Sequence, residues 1–225
     1  MAFPGDHAVI RQSADVPPKS HAMQDALHDQ TPRTLLHTRK IDCNGYRRAD
    51  GLYDIEARMT DLSANGTELP FRQIGAGEQI HDMWLIMTID RDLVIRRMTS
   101  RTDVGATPYC AEINSAYSAL EGLKIGAGFK QKAKALVAGA RGCTHLTELL
   151  GPLATTAMQT IMSEWREARP WHVVSKETTP LAKPWVLGTC HAYREDGPGA
   201  DTVWPLHRRD HDAPVRAVSL ADTVK

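Results

Sequence analysis

His81, Cys110, Cys143 and His145 are the side chains of this chain best suited to hold a metal ion. Thiolate sulfur and imidazole nitrogen are ligands of zinc and iron. Cys143 and His145 stand two residues apart in GCTHL, where a helix is expected to begin. Exposed backbone amides at a helix start favour an anion there, and so favour thiolate over thiol. His81, followed by Asp82, opens the hairpin-like run HDMWLIMTIDRDLVIRRMTSRT, and Cys110 lies in the loop that leaves it. Two thiolates with one or two imidazoles suit zinc or an iron–sulfur cluster. Asp82 could serve as a weak fourth ligand, an orienter of histidine or a general base. Arg47 and Arg48 could clamp the carboxylate of a substrate. Each residue also has a plain reading. The cysteines would be small buried apolar groups, the histidines would bond loop carbonyls, and the two arginines would end a solvated strand. There is no CxxC, no HExxH and no G-x-S-x-G. Gly75 with Gly77, and Gly126 with Gly128, lack the lysine and third glycine of a phosphate loop. The roles of Cys43, Cys190 and His191 stay open.

The elements that must position these residues follow from periodicity. Tyr53, Ile55, Ala57 and Met59 alternate with Asp54, Glu56 and Arg58, which predicts a strand with one buried face. Ala49-Asp50-Gly51 before it reads as a hairpin turn from an earlier strand. Met83, Leu85, Met87 and Ile89 alternate with Trp84 and Ile86, so this strand is expected at the centre of the sheet. Asp90-Arg91-Asp92 turns into a fourth strand over 93–102. Residues 63–78 read as a loop.

After Pro108 the period changes. Ile113, Tyr117, Leu120 and Leu123 recur at helical spacing. A second helix is expected over Phe129–Val137. A third should follow Cys143, N-capped by Thr144, with Leu146, Leu149, Leu150, Leu153, Ala157 and Ile161 on one stripe. Pro152 should kink or restart it. Strands first and helices after predict an α+β class, with a small antiparallel sheet of about four strands and helices packed on one face. The expected organisation is a flexible leader over 1–34, one domain over 35–198 pinned in part by Trp171 and Trp185, and a polar tail over 199–225.

Basic and acidic residues balance at 27 each, so no broad attraction to nucleic acid or to an anionic membrane is expected. No apolar run approaches the ~20 residues of a membrane span, and the first residues lack a secretory pattern. These observations predict a cytoplasmic protein whose four cysteines are thiols or ligands rather than disulfides.

The blocks CNGYRRADGLYDIEA, HDMWLIMTID, RGCTHLTELLGPLATTAMQ and CHAYREDGP resemble the bacterial domain-of-unknown-function family 2889, from about Leu36 to Pro198. More remotely, the order of elements resembles the NifU-type iron–sulfur scaffold and its SufE-like sulfur-acceptor relatives. By that resemblance His81 falls at the first cysteine, Asp82 near the loop aspartate, Cys110 at the second cysteine, and Cys143 with His145 at the His-Cys pair. The first cysteine is replaced here and the pair is reordered. The expectation is a metal-binding protein acting as a small-molecule metalloenzyme of hydrolase or lyase type in bacterial catabolism. Its cofactor would be zinc or iron. The alternatives are an iron–sulfur or sulfur-transfer accessory protein and a non-catalytic binding module.

Overall fold

The computed structural model describes residues 31–213. Every element below lies in one compact unit that begins at Leu36. The leader expected over 1–34 falls almost wholly outside the described residues, as does the tail beyond 213.

Four long strands form an antiparallel sheet in the order β1 (His37–Arg47), β2 (Tyr53–Ser63), β5 (Gln79–Ile89), β6 (Ile95–Val104). The expected loop over 63–78 contains a small hairpin of its own, β3 (Thr67–Leu69) with β4 (Arg72–Ile74). β5 lies inside the sheet, between β2 and β6. Alternation does the sorting: Tyr53, Ile55, Ala57 and Met59 of β2 are buried, as are Met83, Leu85, Met87 and Ile89 of β5.

Over this face lies a 25-residue helix, Thr144–Ala168. Its stripe of Leu146, Leu149, Leu150, Leu153, Ala157 and Ile161 is buried, and each leucine or isoleucine contributes roughly 1.5–3 kcal/mol by leaving water. The helix runs unbroken through Pro152, and its N-cap is Cys143 rather than Thr144. It lies along β1 in the same direction, because Arg39 meets Glu148 near one end and Arg47 meets Glu167 near the other. At Gly45 the approach is so close that a Cβ would stand 1.8 Å from Thr160 Oγ1.

The helical spacing from Ile113 resolves as a 3-10 helix, Cys110–Leu120, with Tyr117 and Leu120 buried. The helix Phe129–Val137 falls where its pattern placed it. Beyond Arg169 the chain carries further elements, and these run into the span expected as a polar tail from 199. Pro198–Val203 is helical, Leu181–Ala182 pairs with Arg209–Asp210, and Trp204 is buried. The architecture is α+β. Among the described residues no helix is long and apolar enough to cross a membrane.

Candidate metal centre

Cross-strand register builds the site. Arg39 of β1 stands opposite Asp61 of β2, and Asp61 stands opposite His81 of β5. Strand neighbours in register share a face, so the three form one row at the end of the helix-covered face. The register shifts between Asp61 and Leu62, directly after this row. The first turn of the long helix then sets His145 against His81, with ring centroids 3.9 Å apart and planes tilted by 38°. One turn further on, Glu148 reaches Arg39 Nη1 at 2.6 Å.

Asp61 is the hub and is only 1% exposed. Arg39 donates to it twice, Nε to Oδ1 at 2.7 Å and Nη2 to Oδ2 at 2.8 Å. His37 Nε2 lies 3.0 Å from Oδ1, and His81 Nδ1 lies 2.9 Å from Oδ2. Burial works against the charged carboxylate. The hydrogen bonds from Arg39, His37 and His81 outweigh it and hold Asp61 well below the usual carboxylate range. Burial also pushes His81 below its ordinary value, against the pull of Asp61. His145 is lowered by burial first, then by His81 and Arg39 beside it. Both imidazoles are therefore neutral at pH 7, the form that ligates metals.

Asp61, His81 and His145 are placed to share one ion, their ligating atoms lying within 4.8 Å of one another. A carboxylate offers about four lone-pair sites, and Asp61 already has four donors. Asp61 therefore suits the role of orienter better than that of ligand. It holds the proton on His81 Nδ1 and leaves Nε2 free to bind a metal, the arrangement common beside zinc. Asp61 would ligate only by releasing one of its present donors.

The other residues singled out from sequence lie as follows. Cys143 is the N-cap beside the site, with Sγ 3.9 Å from His145 Nδ1. Cys110 packs partly against the core, with its thiol 3.2 Å from Thr107 Oγ1. Neither cysteine belongs to the Asp61–His81–His145 group. Asp82 follows His81 on a strand and so faces the opposite side of the sheet. There Arg58 clamps it at 2.9 and 2.6 Å, and Gln79 adds a third bond. The Arg58 clamp holds its carboxyl below the ordinary value. Arg58 and Arg101 also lie over the ring of Trp84 on that side. Arg47 pairs with Glu167, and Arg48 with Asp50 and Asp54, all at the far end of β1. That end is eight residues from Arg39, or roughly 26 Å of strand. Cys43 is half-buried against the core, where burial pushes its thiol up. Cys190 is exposed.

Asp61, Arg39, His37 and Glu148 are the residues that sequence reasoning missed. A signal for Asp61 existed. It continues the odd-numbered apolar row of Tyr53, Ile55, Ala57 and Met59, where a carboxylate must find a partner.

The family described as Protein of unknown function (DUF2889) matches residues 37–159, more than half of the chain. The chain belongs to that family. The matched span contains the whole four-stranded sheet, His37, Arg39, Asp61, His81, His145 and Glu148. No curated protein and no solved structure matches this chain, so the NifU-type likeness finds no support in either comparison.

Proposed function

We propose that this chain binds one mononuclear transition-metal ion, zinc or iron, through His81 and His145. The ion would act on a small molecule as the centre of a hydrolase or lyase. The observation that carries the reading is the pair of closely packed imidazoles beside Asp61, their ligating atoms within 4.8 Å of one another, with His81 Nδ1 held by that saturated carboxylate. Buried histidines with no metal role more often end on a carbonyl or a single acid. Here two rings pack with centroids 3.9 Å apart and planes tilted by 38°. Two nitrogen ligands, with or without Asp61, leave coordination positions open for water or substrate, which is what Lewis-acid chemistry needs. Arg39 and His37, 33% and 47% exposed, form the open rim where an acidic substrate would approach. The donor set of nitrogen and oxygen argues for a single ion rather than an iron–sulfur cluster, which is held by cysteine thiolates.

A second reading is favoured by the position of the site. It ties β1, β2 and β5 to the first turn of the long helix, which is where a structural ion would fasten the fold.

The test is elemental analysis of protein purified without oxygen, followed by zinc and iron(II) titration of the stripped chain. One equivalent of ion, lost in both His81→Ala and His145→Ala but kept in Asp82→Asn, is the expected result. Sub-stoichiometric metal in the parent after reconstitution would refute the site. If stripping lowers the unfolding midpoint and ester or carbonyl substrates give no turnover, the structural reading stands in place of the catalytic one.

A further inference from the structure

At the other end of the long helix, between its last turns and the segment that follows, lies a cavity of about 530 Å³. Twenty residues separate His145 from Trp165, roughly 30 Å of helix, so this cavity is no part of the metal centre. Its volume lies within the range of small-molecule sites, roughly 300–1,000 Å³. Trp165, Trp171, Trp185 and Tyr193 line it. Four aromatic side chains offer rigid apolar walls to a flat ring.

Aromatic walls alone also suit a cation, which would sit over their faces. The charges decide against that. The ionisable side chains in the lining include Arg166 and Arg169 but no carboxylate. Arg169 is paired with Glu177. Arg166 makes no ion pair or hydrogen bond among the described residues. The cavity thus combines aromatic walls with a guanidinium, at the exposed Arg166, that has no protein partner among the described residues.

We propose that this cavity is a binding site for a small aromatic carboxylate. The ring lies among Trp171, Trp185 and Tyr193, and the carboxylate accepts from Arg166. The site is separate from the metal centre and does not depend on it.

Isothermal titration calorimetry on the full chain, with and without added zinc, tests this with three probes of one shape: 2-naphthoate, 2-naphthalenemethanol and 2-naphthylmethylammonium. Naphthoate should bind one to one. The alcohol should bind roughly ten- to a hundredfold more weakly, as expected for loss of a charge-assisted hydrogen bond, and the ammonium weaker still. Arg166→Gln, at an exposed position with no hydrogen bond or ion pair among the described residues, should bring naphthoate down to the level of the alcohol and leave the alcohol unchanged. Equal binding of acid and alcohol would reduce the cavity to an unspecific apolar cleft and overturn the proposal. So would a preference for acid that survives Arg166→Gln, or no saturable binding at millimolar naphthoate by folded parent protein. Zinc should change none of these affinities, so failure here leaves the metal reading untouched.

Discussion

Asp61→Asn is the most informative single change, because it alters charge at the hub with almost no change in volume. In the parent, both carboxylate oxygens accept from Arg39, and each has a histidine as second donor. Asparagine keeps one oxygen and turns the other into an NH2 donor. Whichever way the amide faces, one Arg39 N–H meets a donor instead of an acceptor, and the histidine on that side keeps a bond only by switching tautomer. Hydrogen bonds to charged groups are worth roughly 1.5–3 kcal/mol each, so one bond lost and a second lost or reversed amount to at most roughly 3–6 kcal/mol. Arg39 and His37 are partly open to solvent and can turn their donors to water, which discounts the loss to about 2–4 kcal/mol. Urea unfolding of the metal-stripped protein at pH 7, followed by circular dichroism, reads this directly. The same substitution in an Arg39→Met background should cost at least ~1 kcal/mol less, since one of the opposed donors is gone. With His81 no longer held in one tautomer, zinc affinity should also fall roughly 10- to 100-fold. An Asn variant within about 0.5 kcal/mol of the parent, or a cost unchanged by Arg39→Met, would refute the account of Asp61 as a saturated hub.

Tyr117 is fully buried, donates its hydroxyl to Cys143 O at 2.8 Å and accepts from Cys143 N at 3.1 Å. Tyr117→Phe should cost about 1–3 kcal/mol in urea unfolding and loosen the helix start that carries His145, seen as faster amide exchange there. Gly45→Ala drives a methyl into Thr160 and should destabilise by roughly 1–3 kcal/mol, with partial recovery in Gly45→Ala/Thr160→Ala if the clash is the cause. Stability of the metal-free chain should fall as pH drops from 7. His81 and His145 titrate lower when folded than when unfolded. Their contribution is intact above the unfolded value near 6.5 and is lost as pH falls through it, because the unfolded state then binds more protons. Asp61 and Asp82 are lowered too. Their stabilisation holds above about pH 4 and disappears only as pH falls through their folded values. A flat profile between pH 7 and 5 would contradict the burial of the two imidazoles. Finally, Cys143→Ala should keep its metal, since the thiol lies outside the ligand group; loss of the ion in that variant would return the cysteine to the ligand set.

The placement of His81 and Asp82 shows how far strand alternation reaches. Once HDMWLIMTID is read as a strand, period two sends adjacent residues to opposite faces, so His81 and Asp82 could not serve one site unless a bulge intervened there. The residue type at Asp82 invited a catalytic role that the alternation itself denies. Cys110 is a different case. It lies in the segment leaving β6, and no pattern in the sequence says which way that segment turns. Arg47 and Arg48 fall at the strand end remote from the metal centre, because β1 is long and the helix above it is equally long.

What the sequence by itself determined are the local periods and their faces. These are the alternation of the two inner strands, the leucine stripe from Leu146 to Ile161, the hairpin turn at Asp50-Gly51 and a helix start beside Cys143 and His145. Each arises from neighbours along the chain, and backbone geometry converts spacing into a face. Only the tertiary structure decided that Arg39, Asp61 and His81 stand in one row and that His145 lies over its end. That depends on the register of three strands and on where the helix begins against them. Register is a sum over many weak side-chain contacts between segments distant in sequence, and no residue in the row carries it alone.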